Sequence, residues 1–300
     1  MMRRIPLSLI IGLVLLGGLG VVLLLPFLCD LPHPQQGVLL QMEGRRLVAP
    51  PYQPGQLGYV LGSDFLGRDY WSRLVYGARI TVGLALMINL IRFALALPVG
   101  LQAGWRRGWL ARAEQAAAAG FGSLPALVLV YIVLRGLWPF FLGGNAWMVA
   151  YVLVLGLAGA PRIAEQVRRR TEEIALMPHV EAAQALGARP ARILRRHVLP
   201  IMRADLLVMA PSEMAWVLMI MAQLAVFGVH PGGAVQVETI SGNIAVAEYL
   251  PEWGQMLGTN IPYLLSYPWL PFYPGLAIGL TAAGFHLLAE GLRERDLMVR

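Results

Sequence analysis

Six apolar runs of the length needed to cross a bilayer leave this chain few ways to fold. They are Ile5 to Leu28, Ile80 to Gly104, Gln115 to Leu134, Leu137 to Ala160, Leu206 to Val229 and Trp269 to Ala289. Each is expected as a membrane-spanning helix, so the fold class is all-α membrane protein with six transmembrane helices. With 57% hydrophobic and 14% charged residues, a soluble globular protein is excluded.

The basic residues orient the spans, and every one of them is Arg. Arg3 and Arg4 precede the first run, Arg106, Arg107 and Arg112 follow the second, a dense cluster fills Arg162 to Arg203, and Arg293, Arg295 and Arg300 close the chain. Basic loops stay cytosolic, which puts these four segments and both termini inside. The stretch from His230 to Pro268 has no basic residue, only Glu238, Glu248 and Glu252, and the turn after the third run has Arg135 alone. Both are expected outside. So is Asp30 to Arg79, whose Arg residues run against the rule in a segment long enough to weaken it.

A net charge of +7 sits at membrane borders, where lipid headgroups account for it, so no nucleic-acid partner is expected. The single Cys29 rules out an intrachain disulfide and a cysteine-only metal cluster. Leu28 ahead of it is too large for a lipoprotein signal, and the first run reads as an uncleaved helix.

The densest Arg segment carries the chain's most specific string, Glu181-Ala-Ala-Gln-Ala-Leu-Gly187-Ala-Arg-Pro-Ala-Arg-Ile-Leu-Arg-Arg-His197-Val-Leu199-Pro200. Good helix formers from Val180 to Leu186 predict a short helix, ended by Gly187 in a turn. After Arg189-Pro190 a second helix is expected over Ala191 to Val198, limited by Pro200. Ala182 and Ala183 beside Glu181 give a low-relief face able to lie in a groove of a partner. An ordinary Arg-rich loop held to the anionic leaflet is the alternative. The pattern resembles the cytoplasmic coupling segment of ABC importer permeases.

A second string, Leu61-Gly62-Ser63-Asp64-Phe65-Leu66-Gly67-Arg68-Asp69-Tyr70-Trp71-Ser72-Arg73-Leu74-Val75-Tyr76-Gly77-Ala78-Arg79, precedes the second run. Gly62 and Gly67 suit tight turns, Asp64 and Asp69 can cap amides or pair with Arg68 and Arg73, and the aromatics suit the membrane interface. The segment before it, Asp30 to Leu57, reads as an extended external connection. The string resembles the signature of the second permease of dipeptide, oligopeptide and nickel importers, with Ser63 where Thr is usual. It can serve as a network fixing the entry of the span or as a contact for a solute-binding protein.

The resemblance extends to Pro251-Glu252-Trp253-Gly254-Gln255-Met256-Leu257, Pro274-Gly275-Leu276-Ala277-Ile278 and Gly291-Leu292-Arg293, nearly the whole chain. It implies a permease domain over 76–292, preceded by an N-terminal helix and external segment (1–75) and followed by a cytosolic tail (293–300). It also implies a paralogous permease, two ABC ATPase subunits, an extracytoplasmic solute-binding protein, and residence in a bacterial or archaeal inner membrane. The coupling residues carried over are Glu181, Ala182, Ala183, Gly187, His197, Leu199 and Pro200. Those of the external motif are Gly62, Asp64, Gly67, Arg68, Asp69, Arg73, Gly77 and Arg79. Two departures bear on cargo: Gly120-Phe121-Gly122-Ser123-Leu124-Pro125 stands where relatives carry an Asp and a Phe-Pro pair, and Gly232 to Leu250 is longer than the family's usual link.

Arg92 and Glu213 fall inside apolar runs, where a charge costs at least ~2.5 kcal/mol at the bilayer centre unless paired or hydrated. Each can be structural or line a pathway. Met202, Met209, Met214, Met219 and Met221 keep no common helix face and read as core filling. His33, His179, His197, His230 and His286 are scattered, so no metal site is expected. Without a phosphate-binding Gly-Lys loop or a nucleophile elbow the chain is expected to be non-catalytic and to bind no cofactor, with ATP and Mg on the partner subunits. A self-sufficient secondary carrier using Arg92 and Glu213 is the alternative, and a membrane enzyme lacks any recognisable catalytic pair.

Overall fold

A computed structural model describes residues 6–106, 108–123, 125–141, 144–238, 244–248 and 250–299. Arg3, Arg4, Arg107, Leu124 and Arg300, used in the sequence reading, lie outside them. The helices are α1 (Leu7–Leu28), α2 (Tyr70–Arg106), α3 (Trp109–Ser123), α4 (Ala126–Phe141), α5 (Gly144–Ala175), α6 (Pro178–Ala185), α7 (Pro190–Ile193), α8 (Leu199–Val226), α9 (Trp253–Asn260) and α10 (Trp269–Val299). Two antiparallel hairpins, β1 (Gln41–Glu43) with β2 (Arg46–Val48) and β3 (Ala234–Glu238) with β4 (Ile244–Glu248), and short helical turns at Gln56–Gly58, Leu194–Val198 and Ile261–Tyr263 are also described.

Among the described residues, five helical stretches are long and apolar enough to cross a membrane: Leu7–Leu28, Tyr70–Trp105, Asn145–Ala175, Pro190–Val226 and Trp269–Asp296. The expected third span, Gln115 to Leu134, is not one helix. It is interrupted between α3 and α4, where Pro125, lying in neither helix, has no amide hydrogen to donate to a helical ladder. Its place is taken by the shorter apolar helix Ala126–Trp138. Because α4 runs on to Phe141, the next helix begins at Gly144 rather than Leu137 and continues to Ala175, well past the expected end at Ala160.

The bundle holds two apolar cores, one towards each end. The larger gathers Leu84 and Ile88 of α2, Val130 and Leu134 of α4, Trp147, Tyr151 and Leu155 of α5, Val217 and Leu224 of α8, and Trp253. The smaller, at the end carrying α6 and α7, gathers Ala96, Ile163, Val167, Ile174, Val180, Ile193, Val198 and Met202. α2 packs along α5, α8 along α10, and α10 along α1. The α2–α5 contact brings backbones together: a side chain at Gly100 or Gly104 would run into the carbonyl oxygens of Ala164 and Arg168. Small residues that admit such close approach hold helices together where lipid supplies no hydrophobic drive.

The connection between α1 and α2, expected outside, is more structured than its composition predicted. It contains the β1–β2 hairpin and a fully buried Tyr52, and it folds back onto the start of α2. Gly232 to Leu250, read as an insertion, forms the β3–β4 hairpin, although 239–243 and 249 are outside the described residues.

Candidate functional site

At one end of the bundle, α6 and α7 form a projecting hairpin. Pro178 starts α6 without loss of a needed amide, and Glu181 lies in its first turn, where a negative charge is favoured. Gly187 closes the helix at φ 76°: its amide bonds the Gln184 carbonyl at 2.9 Å and the Ala188 amide reaches Ala183 at 3.1 Å. These two bonds are a Schellman closure, which needs a left-handed residue at Gly187. Glu181, Ala182 and Gly187 are exposed, Ala183 is half-buried, and Leu186 projects with 88% of its surface free. Behind this face Val180, Ile193 and Val198 are buried in the smaller core.

Pro200 does not limit the second helix as expected. Helix runs from Pro190 to Val226 because the turn over Leu194–Val198 is widened, with the Leu199 amide bonding the Leu194 carbonyl. That extra residue in the turn accommodates a ring which would otherwise clash with the carbonyl four residues back. Leu199 is half-buried and Pro200 exposed, while the turn brings His197 beside His179, ring centroids 6.2 Å apart.

Arg92 and Glu213, singled out separately, are partners. Arg92 Nη1 lies 3.2 Å from Glu213 Oε2, and its Nε donates to the Leu155 carbonyl at 3.1 Å. Gly159 supplies the room, since a side chain there would meet the guanidinium. A third member was missed by sequence reasoning: Arg162 Nη2 sits 2.6 Å from Glu213 Oε1, with its guanidinium 5.2 Å from the Trp216 ring. Arg162 had been grouped with the Arg-rich segment, but it pairs with Glu213 inside the bundle instead. Beside it a groove of about 560 Å³ between α8 and α10 is lined by Ser212, Trp216, Ala282 and His286 among others.

At the opposite end the second string closes a buried polar clasp. Arg68 Nε contacts Asp64 Oδ2 at 2.6 Å and its Nη2 Glu248 Oε2 at 3.2 Å, and Arg73 Nη2 contacts the same Glu248 oxygen at 2.8 Å. Glu248 Oε1 accepts from Thr259 at 2.7 Å and Asn260 at 3.2 Å, and Arg73 donates to the Pro34 carbonyl at 3.2 Å. Two cations meet two anions, so the buried charge balances, as a desolvated network must. Glu248 had been noted only as an acidic loop residue; its facing pair of Arg was the available signal. Asp69 caps α2 through the Ser72 amide at 2.8 Å, and burial raises its carboxyl above the usual range. Gly62 and Gly67 both turn at positive φ. Gly77 lets the Pro251 carbonyl approach α2, and Arg79 donates to Leu23 of α1 at 3.2 Å while covering Phe27. With Asp64, Arg68 and Arg73 all buried, these side chains tie the clasp together and are not offered to a docking protein.

Residues 96–294 match the family described as binding-protein-dependent transport system inner membrane component. Similar proteins include the glutathione transport system permease protein of Pectobacterium atrosepticum, 27% identical over 234 residues covering 78% of this chain and 70% of that one. The oligopeptide transport system permease protein of Bacillus subtilis is 25% identical over 242 residues (81% and 72%). The di/tripeptide transport system permease protein of Pseudomonas aeruginosa is 28% identical over 283 residues (93% and 86%). These likenesses set aside the self-sufficient carrier: the chain belongs to the inner membrane component family of binding-protein-dependent transport systems and is a permease subunit.

Proposed function

We propose that this subunit is half of the translocation path of an ATP-driven importer whose cargo is a peptide or a related small solute of the glutathione kind. The cargo class rests on the names of its relatives. The coupling role rests on one observation: the α6–α7 hairpin exposes a small-residue face beside Glu181 while Val180, Ile193 and Val198 lock its back to the bundle.

In this reading a groove on each ATPase subunit receives a coupling hairpin, one from this chain and one from a paralogous permease. Ala182 and Ala183 permit close seating, Glu181 pairs with a basic group, and Gly187 holds the turn. His197, Leu199 and Pro200 carry the motion into α8. Closure of the ATPases on ATP and Mg, neither bound by this chain, drives the path between inward-open and outward-open states. The hairpin end and both termini are then cytosolic, and an extracytoplasmic solute-binding protein delivers cargo at the clasp end. The boundaries 76–292 delimit the permease domain.

Co-purification with candidate ATPase subunits tests this, with Gly187→Asp and Glu181→Arg compared at equal membrane insertion. The expected result is loss of the ATPase, or of its stimulated hydrolysis, in both variants. ATPase binding that is indifferent to both would remove the coupling role.

A further inference from the structure

Among the described residues, the charge cluster around Glu213 does not balance. Each carboxylate oxygen of Glu213 faces one guanidinium, Arg92 at 3.2 Å and Arg162 at 2.6 Å. Two cations against one anion leave a single positive charge, in contrast to the balanced clasp. The excess has one outlet: the side chains of Arg92 and Glu213 are 3% and 5% exposed, whereas Arg162 is 47% exposed. The next carboxylate along α5, Glu165, is engaged by Arg169 at 2.5 Å and lies 3.9 Å from Arg168.

Position adds to charge. Glu213 is seven residues inside the apolar run that begins at Leu206, about 10 Å along a helix. Arg162 meets it at that depth and lies against Trp216. An unbalanced, half-exposed guanidinium at that depth is costly against lipid tails and is sustained by water or a protein partner. In a permease the water-lined surface is the path. We propose that Arg162 is an anion-recognition residue of the translocation path: Arg92 anchors Glu213, Glu213 aims Arg162, and the exposed guanidinium edge takes the carboxylate of passing cargo. Trp216, against which Arg162 lies, lines the groove between α8 and α10, and Ser212 lines the same groove. The carboxylate deepens, and so rests on, the peptide-type cargo reading above.

The test uses the complete transporter in membranes. With Cys29, the chain's single cysteine, replaced by Ser, Ser212→Cys puts a thiol on the exposed wall of the groove. Its reaction rates with an anionic and a cationic methanethiosulfonate are compared during turnover, with Arg162 native, Arg162→Gln or Arg162→Lys. The expected preference for the anion is a few-fold, the order of the water-screened Coulomb difference between opposite unit charges within about a Debye length. It falls to near unity in Arg162→Gln and persists in Arg162→Lys, which keeps the charge and controls for misfolding. A thiol unreactive to both reagents, or a preference indifferent to Arg162→Gln, overturns the proposal; the former is the result for a guanidinium serving lipid headgroups.

Uptake of a dipeptide and of its C-terminal amide separates this from the cargo reading. If the thiol preference depends on Arg162 but neither compound enters, the anion site stands and the peptide reading falls. If both enter at a ratio unaffected by Arg162→Gln, the inference fails and the peptide reading stands.

Discussion

Glu213 is held by two guanidinium groups, one of them sealed from solvent, so neutralising it strands a buried cation. Breaking such a pair from one side costs roughly 3–5 kcal/mol, whereas replacing both partners by apolar residues of similar volume is often neutral or better. Glu213→Gln should therefore unfold markedly earlier in detergent, and Arg92→Met combined with Glu213→Leu should recover most of that loss. Equal destabilisation by the single and double replacements would mean the pair is not what holds the seam. A second residue-level effect concerns His230. Burial pulls its imidazole below the ordinary 6.5, against smaller opposing contributions from the Gly232 carbonyl and Glu248. With the folded value below the unfolded one, the stability it contributes is complete above pH 6.5 and is lost as pH falls from there through the lower folded value. Melting should decline on mild acidification, and His230→Gln should flatten that part of the profile. Arg92 and Glu213 were legible because charges stand out in apolar runs. Arg162 was not, because one-dimensional counting assigns an Arg near a run's end to the adjoining loop, and only folding brings it to Glu213.

At the scale of elements, the sequence told where helices would be more reliably than where they would stop. Two prolines had opposite outcomes. Pro125 separates α3 from α4, while Pro200 is absorbed because the Leu194–Val198 turn widens ahead of it. Nothing in the isolated dipeptides distinguishes the two, since the remedy at Pro200 lies in packing of Val198 and Met202 on the smaller core. The Gly100-x-x-x-Gly104 spacing was readable as a close-contact face for α2, yet periodicity cannot name α5 as its partner. The clasp joins distant elements in the same way: Trp253 donates from its ring to the Leu74 carbonyl at 2.8 Å, and Thr81 to Glu252 at 3.0 Å, across the gap Gly77 leaves for the Pro251 carbonyl. Gly77→Ala should force α2 off this turn and cost about 1–3 kcal/mol as an overpacked site. Gly83→Ala, about one and two-thirds turns along the same helix with open space around it, should be neutral or stabilising by up to about 1 kcal/mol. Hydrogen exchange in α9 checks both, with faster exchange expected from Gly77→Ala alone.

For the molecule as a whole, the position of the charge cluster matters more than its strength. Along α2, Arg92 falls between Ile88 of the larger core and Ala96 of the smaller; along α5, Arg162 falls between Leu155 and Ile163; along α8, Glu213 falls between Met202 and Met214. A polar seam thus separates two apolar bodies that share three continuous helices. Force applied to the α6–α7 hairpin enters the smaller body through Val180, Ile193 and Val198, and has to cross the seam to reach the larger one. On the coupling role proposed above, transmission then depends on how tightly the hairpin's back is packed, while attachment depends on its exposed face. Ile193→Ala opens a cavity under the hairpin, at a cost of roughly 2–5 kcal/mol to local packing, and leaves Glu181, Ala182 and Gly187 untouched. It should keep the ATPase bound but lower the cargo moved per ATP hydrolysed, whereas Gly187→Asp should lose the ATPase itself. Co-purification measured alongside uptake and hydrolysis in proteoliposomes separates the two. If Ile193→Ala instead released the ATPase as fully as Gly187→Asp, seating and transmission would be one property of the hairpin, and the smaller core would have no separate part in driving the path.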